Sequence, residues 1–320
     1  MTEYLISRSE HIVRNSSVTV LKGSTALSVI DRTVSTKLTE MKHFDTMKTM
    51  FCDANGRVED FARVYLLDEQ LLMINSSQYG TEIRKKLIDG IGWDEECTLL
   101  NGDDAISHVS VICPDSNDIK SNFGLENELL TNGKVLECGD LIFSNTEFDY
   151  FDMIDILAPR GKLTSVLQKL NESGSMNASE DRWDFLRISL GIPSIDDARG
   201  NLPNELGLTD LVSLDKGCYP GQEIHARIDS RGRTTKNLVR IVSKFPILLG
   251  IHEVDGIGKI RVSSTQTESG VSLSLGICST IKQPVSEITL EDGQTATVSY
   301  THLRAHETEA DLVCRLLLEK

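Results

Sequence analysis

Residues 47–77, MKTMFCDANGRVEDFARVYLLDEQLLMINSS, constrain the fold more than any other stretch. Apolar runs of strand length alternate here with turn residues. Asp53 to Gly56 supply one turn, and Asp68 and Glu69 separate RVYLL from LLMIN. Short strands joined by tight turns pair with their sequence neighbours, so the stretch has the rhythm of a β-meander.

The rest of the chain mixes strands and helices without regular βαβ alternation. VTVLKGSTALSVI (18–30) pairs a short strand with a helix-like run after Gly23. ISHVSVI (106–112) and YFDMIDIL (150–157) read as strands, and KLTSVLQKL (162–170) reads as a helix. In YGTEIRKKLIDGI (79–91), Ile83, Leu87 and Ile91 recur at helical spacing. The segment SEDRWDFLRISLG (179–191) has a helix start in Ser179, Glu180 and Asp181 and a stop in Gly191 and Pro193. Trp183, Leu186 and Leu190 fall on one face of it, expected in the core. From residue 237 onward, NLVRIV, GIGKIRVSS, SLGICST and TATVSY are strand-like and turn-rich, which suggests a small C-terminal β-domain. The expected class is α+β rather than a doubly wound parallel sheet.

Length, charge and cysteine usage then exclude several functions. The 320 residues suffice for two or three domains with a buried core. No run of 18 apolar residues exists, so no membrane span is expected. The first residues lack the apolar segment of a secretory signal, and a cytoplasmic protein is expected. A net charge of −15 argues against direct nucleic-acid binding unless a local basic patch overrides it. One such patch follows residue 226: Arg227, Arg231, Arg233, Lys236 and Arg240. It is either a solvated face or a site for an anionic ligand such as a carboxylate tail. The seven cysteines, at 52, 97, 113, 138, 218, 278 and 314, form no CxxC pair, and of the seven histidines only His302 and His306, near the end of the sequence, are spaced as HxxxH. Reduced thiols and no protein-only metal site are the expectation.

DKGCYPGQE (215–223) is the stretch with chemistry in it. Thiols react when the thiolate is stabilised. Lys216 lies two residues from Cys218, and Pro220 suits the first turn of a helix through GQEIHARI, which would put Cys218 at or just before a helix N-terminus. Gly217 and Gly221 would allow a backbone or flat ligand to approach, and Gln222 and Glu223 offer hydrogen-bonding groups. A packed, inert thiol is the alternative. His225 is not placed by sequence, so a cysteine hydrolase has no support.

The larger segment LGLTDLVSLDKGCYPGQEIHARIDSRGRTTKNLVRI resembles the signature of the YgfZ-type folate-binding proteins, relatives of the aminomethyltransferase (T-protein) of the glycine cleavage system. Their pattern K-G-C-[FY]-x-G-Q-E, followed by an arginine, is met by Lys216, Gly217, Cys218, Tyr219, Gly221, Gln222, Glu223 and Arg227. FLRISLGIPSIDDARGNLPNELGL is similar to the family's approach to that motif, and FCDANGRVEDFARVYLL to its D-x-x-G-R-x-x-D hairpin. The resemblance covers roughly residues 18–297, most weakly 95–145. It departs at Ser35, Thr36 and Lys37, where the family usually has a Thr-Asn-Asp-like turn.

The resemblance implies a three-lobed ring around a central tetrahydrofolate channel. Residues 1–236 would form two interleaved α+β lobes and 237–297 a small β-barrel. It implies that Cys218, Lys216 and Asp60 carry the chemistry, with Asp60 orienting a folate amine as a relative's aspartate does. Glu205, Tyr219, Gly221, Gln222, Glu223 and Arg227 would contact the folate, and an arginine of the basic patch would meet its glutamate tail. It further implies iron–sulfur assembly proteins or client iron–sulfur enzymes as partners, and through them tRNA modification. Folate-dependent aminomethyl transfer or demethylation, and a scaffold without folate chemistry, are the competing readings. Residues 298–320 resemble a translated adaptor sequence, so His302, His306 and Cys314 are given no functional weight.

Overall fold

A computed structural model describes residues 6–68, 70–126, 128, 130–148, 151–232, 234–254, 257–279, 285–290 and 293–300. Its strands form three sheets, labelled here A, B and C and numbered in chain order. Sheet A holds β1 (Glu10–Arg14), β7 (Ile106–Cys113), β8 (Val135–Cys138), β9 (Leu141–Phe148), β10 (Phe151–Pro159) and β11 (Met176–Asn177), in the order β11-β1-β7-β10-β9-β8. Sheet B holds β2 (Ser16–Lys22), β3 (Asp45–Cys52), β4 (Val58–Leu66), β5 (Leu71–Ser76) and β6 (Thr98–Asn101), in the order β3-β4-β5-β2-β6. The chain therefore starts in sheet A, leaves after one strand to build sheet B, and returns. The meander expected over 47–77 is β3-β4-β5, paired antiparallel, with a register shift between Phe51 and Cys52 of β3. Among the named strands, only β1 and β11 pair in parallel, as an α+β chain rather than a doubly wound one requires.

Strand alternation assigns the faces of sheet B. Phe51, Ala62, Val64, Leu71 and Met73 pack under helices α1 (Ala26–Asp31) and α2 (Gly80–Asp89). The intervening residues Val18, Tyr65, Leu72 and Ile74 turn the other way and meet Leu157 and Val135 of sheet A. Sheet A buries Val109, Val111, Ile154 and Ile156 beneath α3 (Ser116–Phe123) and α4 (Leu163–Glu172). Helix α5 (Glu180–Ser189) starts where its sequence says: Ser179 Oγ accepts from the Arg182 N–H, and Glu180 and Asp181 occupy the first turn. Trp183 and Leu186 are buried on its inner face, with Leu190 half-buried beside them.

Sheet C holds β12 (Lys236–Ser243), β13 (Gly250–Val254), β14 (Gly258–Glu268), β15 (Val271–Ser279), β16 (Glu287–Thr289) and β17 (Thr295–Tyr300), in the order β13-β14-β15-β12-β17-β16. No pairing among the described residues joins β13 to β16, so the sheet is a half-barrel where the resemblance implies a small β-barrel. Its inner face packs Val239, Ile241, Ile260, Val262 and Val298 together. Its outer face sends Leu238, Leu273 and Leu275 against Met50, Cys52 and Val58 of sheet B and Phe185 and Ile188 of α5. Residues 298–300 complete β17, and Val298 pairs with Ile241. The remainder of the adaptor-like segment, 301–320, lies outside the described residues. No helix among the described residues is long and apolar enough to cross a membrane.

Candidate functional site: an anchored loop displaying Cys218

The motif loop is held at three points. The first is Lys216. Its side chain is buried, and its ammonium donates to the backbone carbonyls of Asp31 (2.5 Å), Val34 (3.0 Å) and Thr36 (2.8 Å), with the Asp31 carboxylate 3.3 Å away. An ammonium has three N–H donors, so all of them are spent on the turn after α1. That turn carries the sequence departure at Ser35 and Thr36. Both hydroxyls donate to the Leu211 carbonyl, and the Ser213 N–H donates to the Ser35 carbonyl. The turn and the motif's approach segment are therefore laced together.

The second point is a glycine contact. Gly221 has φ +84°, and a Cβ there would come within 2.4 Å of Gly56 Cα and 2.6 Å of Gly56 N. Gly56, at φ +73° in the β3-β4 turn, has the same constraint from the His225 ring, 2.9 Å from where its own Cβ would lie. Left-handed backbone and direct backbone contact both require glycine. The third point is Tyr219. Its buried hydroxyl lies 3.1 Å from His225 Nδ1, while His225 Nε2 lies 2.8 Å from the Gly56 carbonyl. A carbonyl only accepts, so Nε2 carries the proton and Nδ1 accepts from Tyr219. Burial pushes the His225 imidazole below its ordinary pKa and the Tyr219 phenol above its own. Gln222 closes the loop by donating to the Lys216 carbonyl at 3.2 Å.

Between these anchors Cys218 is exposed, and the space beside Gly217 is open. Its Sγ has no hydrogen-bond partner among the described residues. The thiol is neither packed nor inert by burial, in contrast to Cys52, which burial pushes up to about 12. Neither device expected to stabilise a thiolate is in place. Lys216 is committed to carbonyls. After the short α6 (Ile195–Ala198), helix α7 (Gln222–Arg231) begins only at Gln222, with Gly221 as its N-cap, so Pro220 precedes the helix rather than occupying its first turn. Three of the first four N–H groups of α7 are already bonded, Gln222 to Tyr219 and Ile224 and His225 to Gly221.

The other expected site residues are dispersed. Asp60 is fully buried on β4. It accepts from Ser76 Oγ (2.5 Å), Asn75 Nδ2 (2.9 Å), the Ser76 N–H and its own neighbour's N–H. Desolvation raises its carboxyl pKa against those hydrogen bonds. Glu205 is buried and accepts from the Leu202 N–H and Thr235 Oγ1. Glu223 and Arg227 are exposed on α7, 4.0 Å apart. The basic patch is not one surface: Arg231 is exposed, Arg240 is buried with its guanidinium donating to the Ser189 carbonyl, and Arg233 lies outside the described residues. His225, Asp31 and Gly56 organise the loop and were not assigned that role by sequence. The glycine at the hairpin turn was the one available signal.

Two shallow cavities, of about 500 and 510 Å³, lie along α4 and β1, away from the motif; the second is lined by His11, Asn171, Asn177 and Glu180 among others. No cluster of three or more metal-ligating side chains is found among the described residues.

No family model matches the chain. The structure is similar to the crystal structure of glycine cleavage system aminomethyltransferase T from Bartonella henselae, with a TM-score of 0.80 and 15% identity over 94% of this chain and 88% of that one. That likeness shows the fold: a mixed α/β, aminomethyltransferase-like architecture. A partial likeness, with a TM-score of 0.39 and 11% identity, is to heterotetrameric sarcosine oxidase from Corynebacterium sp. U-96, over 52% of this chain and 83% of that one.

Proposed function

We propose that this chain binds a reduced folate and presents Cys218 as an accessible thiol to iron–sulfur assembly proteins or client iron–sulfur enzymes, and so supports tRNA modification. The carrying observation is the contrast within the motif loop: Lys216, Tyr219 and Gly221 are tied down by the rest of the protein, whereas the Cys218 thiol is exposed. A rigid loop with one outward thiol suits a group handed between proteins. Such a thiol can carry a persulfide or lend one ligand to iron. A cluster usually takes four ligands, so a partner or a second copy supplies the others.

Folate enters this reading through the fold and the motif. Its three sheets are read as three lobes around a channel. Of the residues expected to hold it, Glu205, Tyr219, Gln222 and Asp60 are engaged within the protein, whereas Glu223 and Arg227 form only an exposed 4.0 Å pair with each other and could meet ring-edge N–H groups and a carboxylate tail. When bound, tetrahydrofolate would supply one-carbon chemistry. The protein's own residues position Cys218 and the α7 surface beside it.

The test replaces Cys218 by Ala and by Ser and follows iron–sulfur enzyme activity in cells together with tetrahydrofolate affinity in vitro. Both variants are expected to lose the cellular activity and keep the affinity. Wild-type behaviour of Cys218→Ala ends the thiol reading, and the absence of saturable tetrahydrofolate binding ends the folate reading. A folate-dependent aminomethyltransferase is the second reading, favoured by the near full-length fold similarity. It needs Asp60 to reach a substrate, and Asp60 is sealed by Ser76 and Asn75. Aminomethyl transfer by the wild type that is abolished in Asp60→Asn would establish it.

A further inference from the structure

The face of sheet B that looks away from its helices carries an imbalance of charge. Met47 and Phe51 of β3 point into the helix-covered core, so Lys48 points the other way, the side on which Met50 meets sheet C. On β4, Ala62 and Val64 enter the same helix-covered core, so Arg63 shares the face of Lys48. The two residues are register partners, Lys48 directly opposite Arg63. Like charges in that position repel. One carboxylate is at hand, Asp155 on β10 of sheet A, and it is fully occupied. Its Oδ2 accepts from Arg63 Nη1 at 2.5 Å, and its Oδ1 from Ser110 Oγ at 2.6 Å, with His108 Nε2 at 3.1 Å.

Three polar groups on this face are left over. The Lys48 ammonium has no hydrogen bond or ion pair among the described residues. Arg63 Nε and Thr46 Oγ1 are buried without a partner, and Thr46 lies two residues from Lys48, on the same face of β3. Buried donors without acceptors are rare and costly. Lys48 remains open to solvent, yet the surrounding protein desolvates its ammonium and, with Arg63 repelling it, brings its pKa down to about 8.

We propose that this face binds an oxyanion, the carboxylate or phosphate group of a small-molecule ligand, between Lys48 and Arg63. The anion would separate two opposed cations, and its oxygens would accept from Lys48 Nζ and Arg63 Nε, with Thr46 Oγ1 as a further donor. Both Nη atoms of Arg63 are already engaged, Nη2 by Thr146 Oγ1 at 2.7 Å. The guanidinium therefore meets the ligand through Nε and not as a two-pronged fork. The proposal does not depend on the folate reading.

The test is calorimetry on the full chain with inorganic phosphate and with glutarate, at ionic strength held constant with chloride and without folate. Wild type is expected to bind at least one of them saturably. Tighter phosphate binding assigns a phosphorylated ligand, and tighter glutarate binding a carboxylate. Lys48→Met should weaken the binding by about tenfold or more, while Lys48→Arg retains it. Since Lys48 is exposed and unpaired, Lys48→Met should fold, and without anion it should melt no lower than wild type because a repulsion is gone. The proposal is overturned if neither anion binds beyond the effect of chloride, or if Lys48→Met binds as tightly as wild type.

Discussion

At the scale of single residues, two glycines and a histidine decide whether the Cys218 loop exists. Gly221→Ala places a methyl within 2.4 Å of Gly56 Cα at a left-handed φ. Backbone, not a flexible side chain, must give way, so the loss should exceed the ~1 kcal/mol typical of an unfavourable Gly→Ala change. Urea unfolding is expected to show a loss of about 2–3 kcal/mol, and the Cys218 thiol should become more mobile without being more exposed. His225 gives the loop a pH dependence. It is neutral in the native state, with its pKa lowered by burial, whereas the unfolded chain titrates near the ordinary value of about 6.5. Below that value the unfolded state binds protons that the native state refuses, so stability falls as pH drops from about 6.5 toward the lowered value. Asp60 works in the opposite sense and at lower pH, because its raised pKa lets the native state take up a proton first. His11, also lowered by burial, adds to the His225 slope. Urea midpoints at pH 7.5 and 5.5 should therefore differ less in His225→Gln than in wild type, without the difference vanishing. An unchanged difference would mean that His225 does not titrate as its burial requires.

At the scale of elements, the loop is joined to the α1 turn through Lys216 and to the β3-β4 hairpin through Gly221 and His225. Lys216→Met removes bonds to three carbonyls and leaves the Asp31 carboxylate, whose Oδ1 also accepts from the Leu38 N–H at 2.6 Å, without its cation. Removing one partner of a buried charged pair costs about 3–5 kcal/mol, and the partial exposure of Asp31 places this case near the lower figure. Lys216→Arg should not restore stability, because a planar guanidinium cannot place three donors around one nitrogen's position. Chemical denaturation of both variants, with rates of thiol modification at Cys218, checks this: a variant that keeps wild-type stability would show that the clamp is dispensable. This is also where the sequence stops being legible. The meander and the cap at Ser179 follow from spacings of a few residues, and they appear where expected. Lys216 meets Val34 across 182 residues of chain, and no local pattern encodes that contact. The expectation that its charge serves Cys218 came from sequence proximity alone. Arg240 failed for a related reason: β12 is buried on both faces, and a strand of that kind has no solvent side on which to display a cation.

At the scale of the whole molecule, the interleaved sheets and the half-barrel share their interfaces. Sheet C is not an appended lobe: Leu238, Leu273 and Leu275 enter the same core as Met50 of sheet B and Ile188 of α5. Helix α5 in turn carries Trp183 into the contact with Ile12 and Ile112 of sheet A. A core joined in this way should unfold as one unit. The chain has two tryptophans. Trp93 is 97% exposed and reports little, so the fluorescence change on unfolding comes from Trp183, which is 6% exposed. Fluorescence thus follows the junction of α5 with sheet A, while far-UV circular dichroism follows all three sheets. The two probes should give coincident urea transitions. Leu275→Ala, at a fully buried site where β15 faces sheet B, should cost about 2–5 kcal/mol and move both transitions together. If sheet C were instead an independent domain, the substitution would shift only the circular dichroism change and leave the Trp183 transition in place, since Trp183 makes no contact within that leucine's cluster. Separation of the two curves in the variant would therefore refute the shared core even if they coincide in wild type.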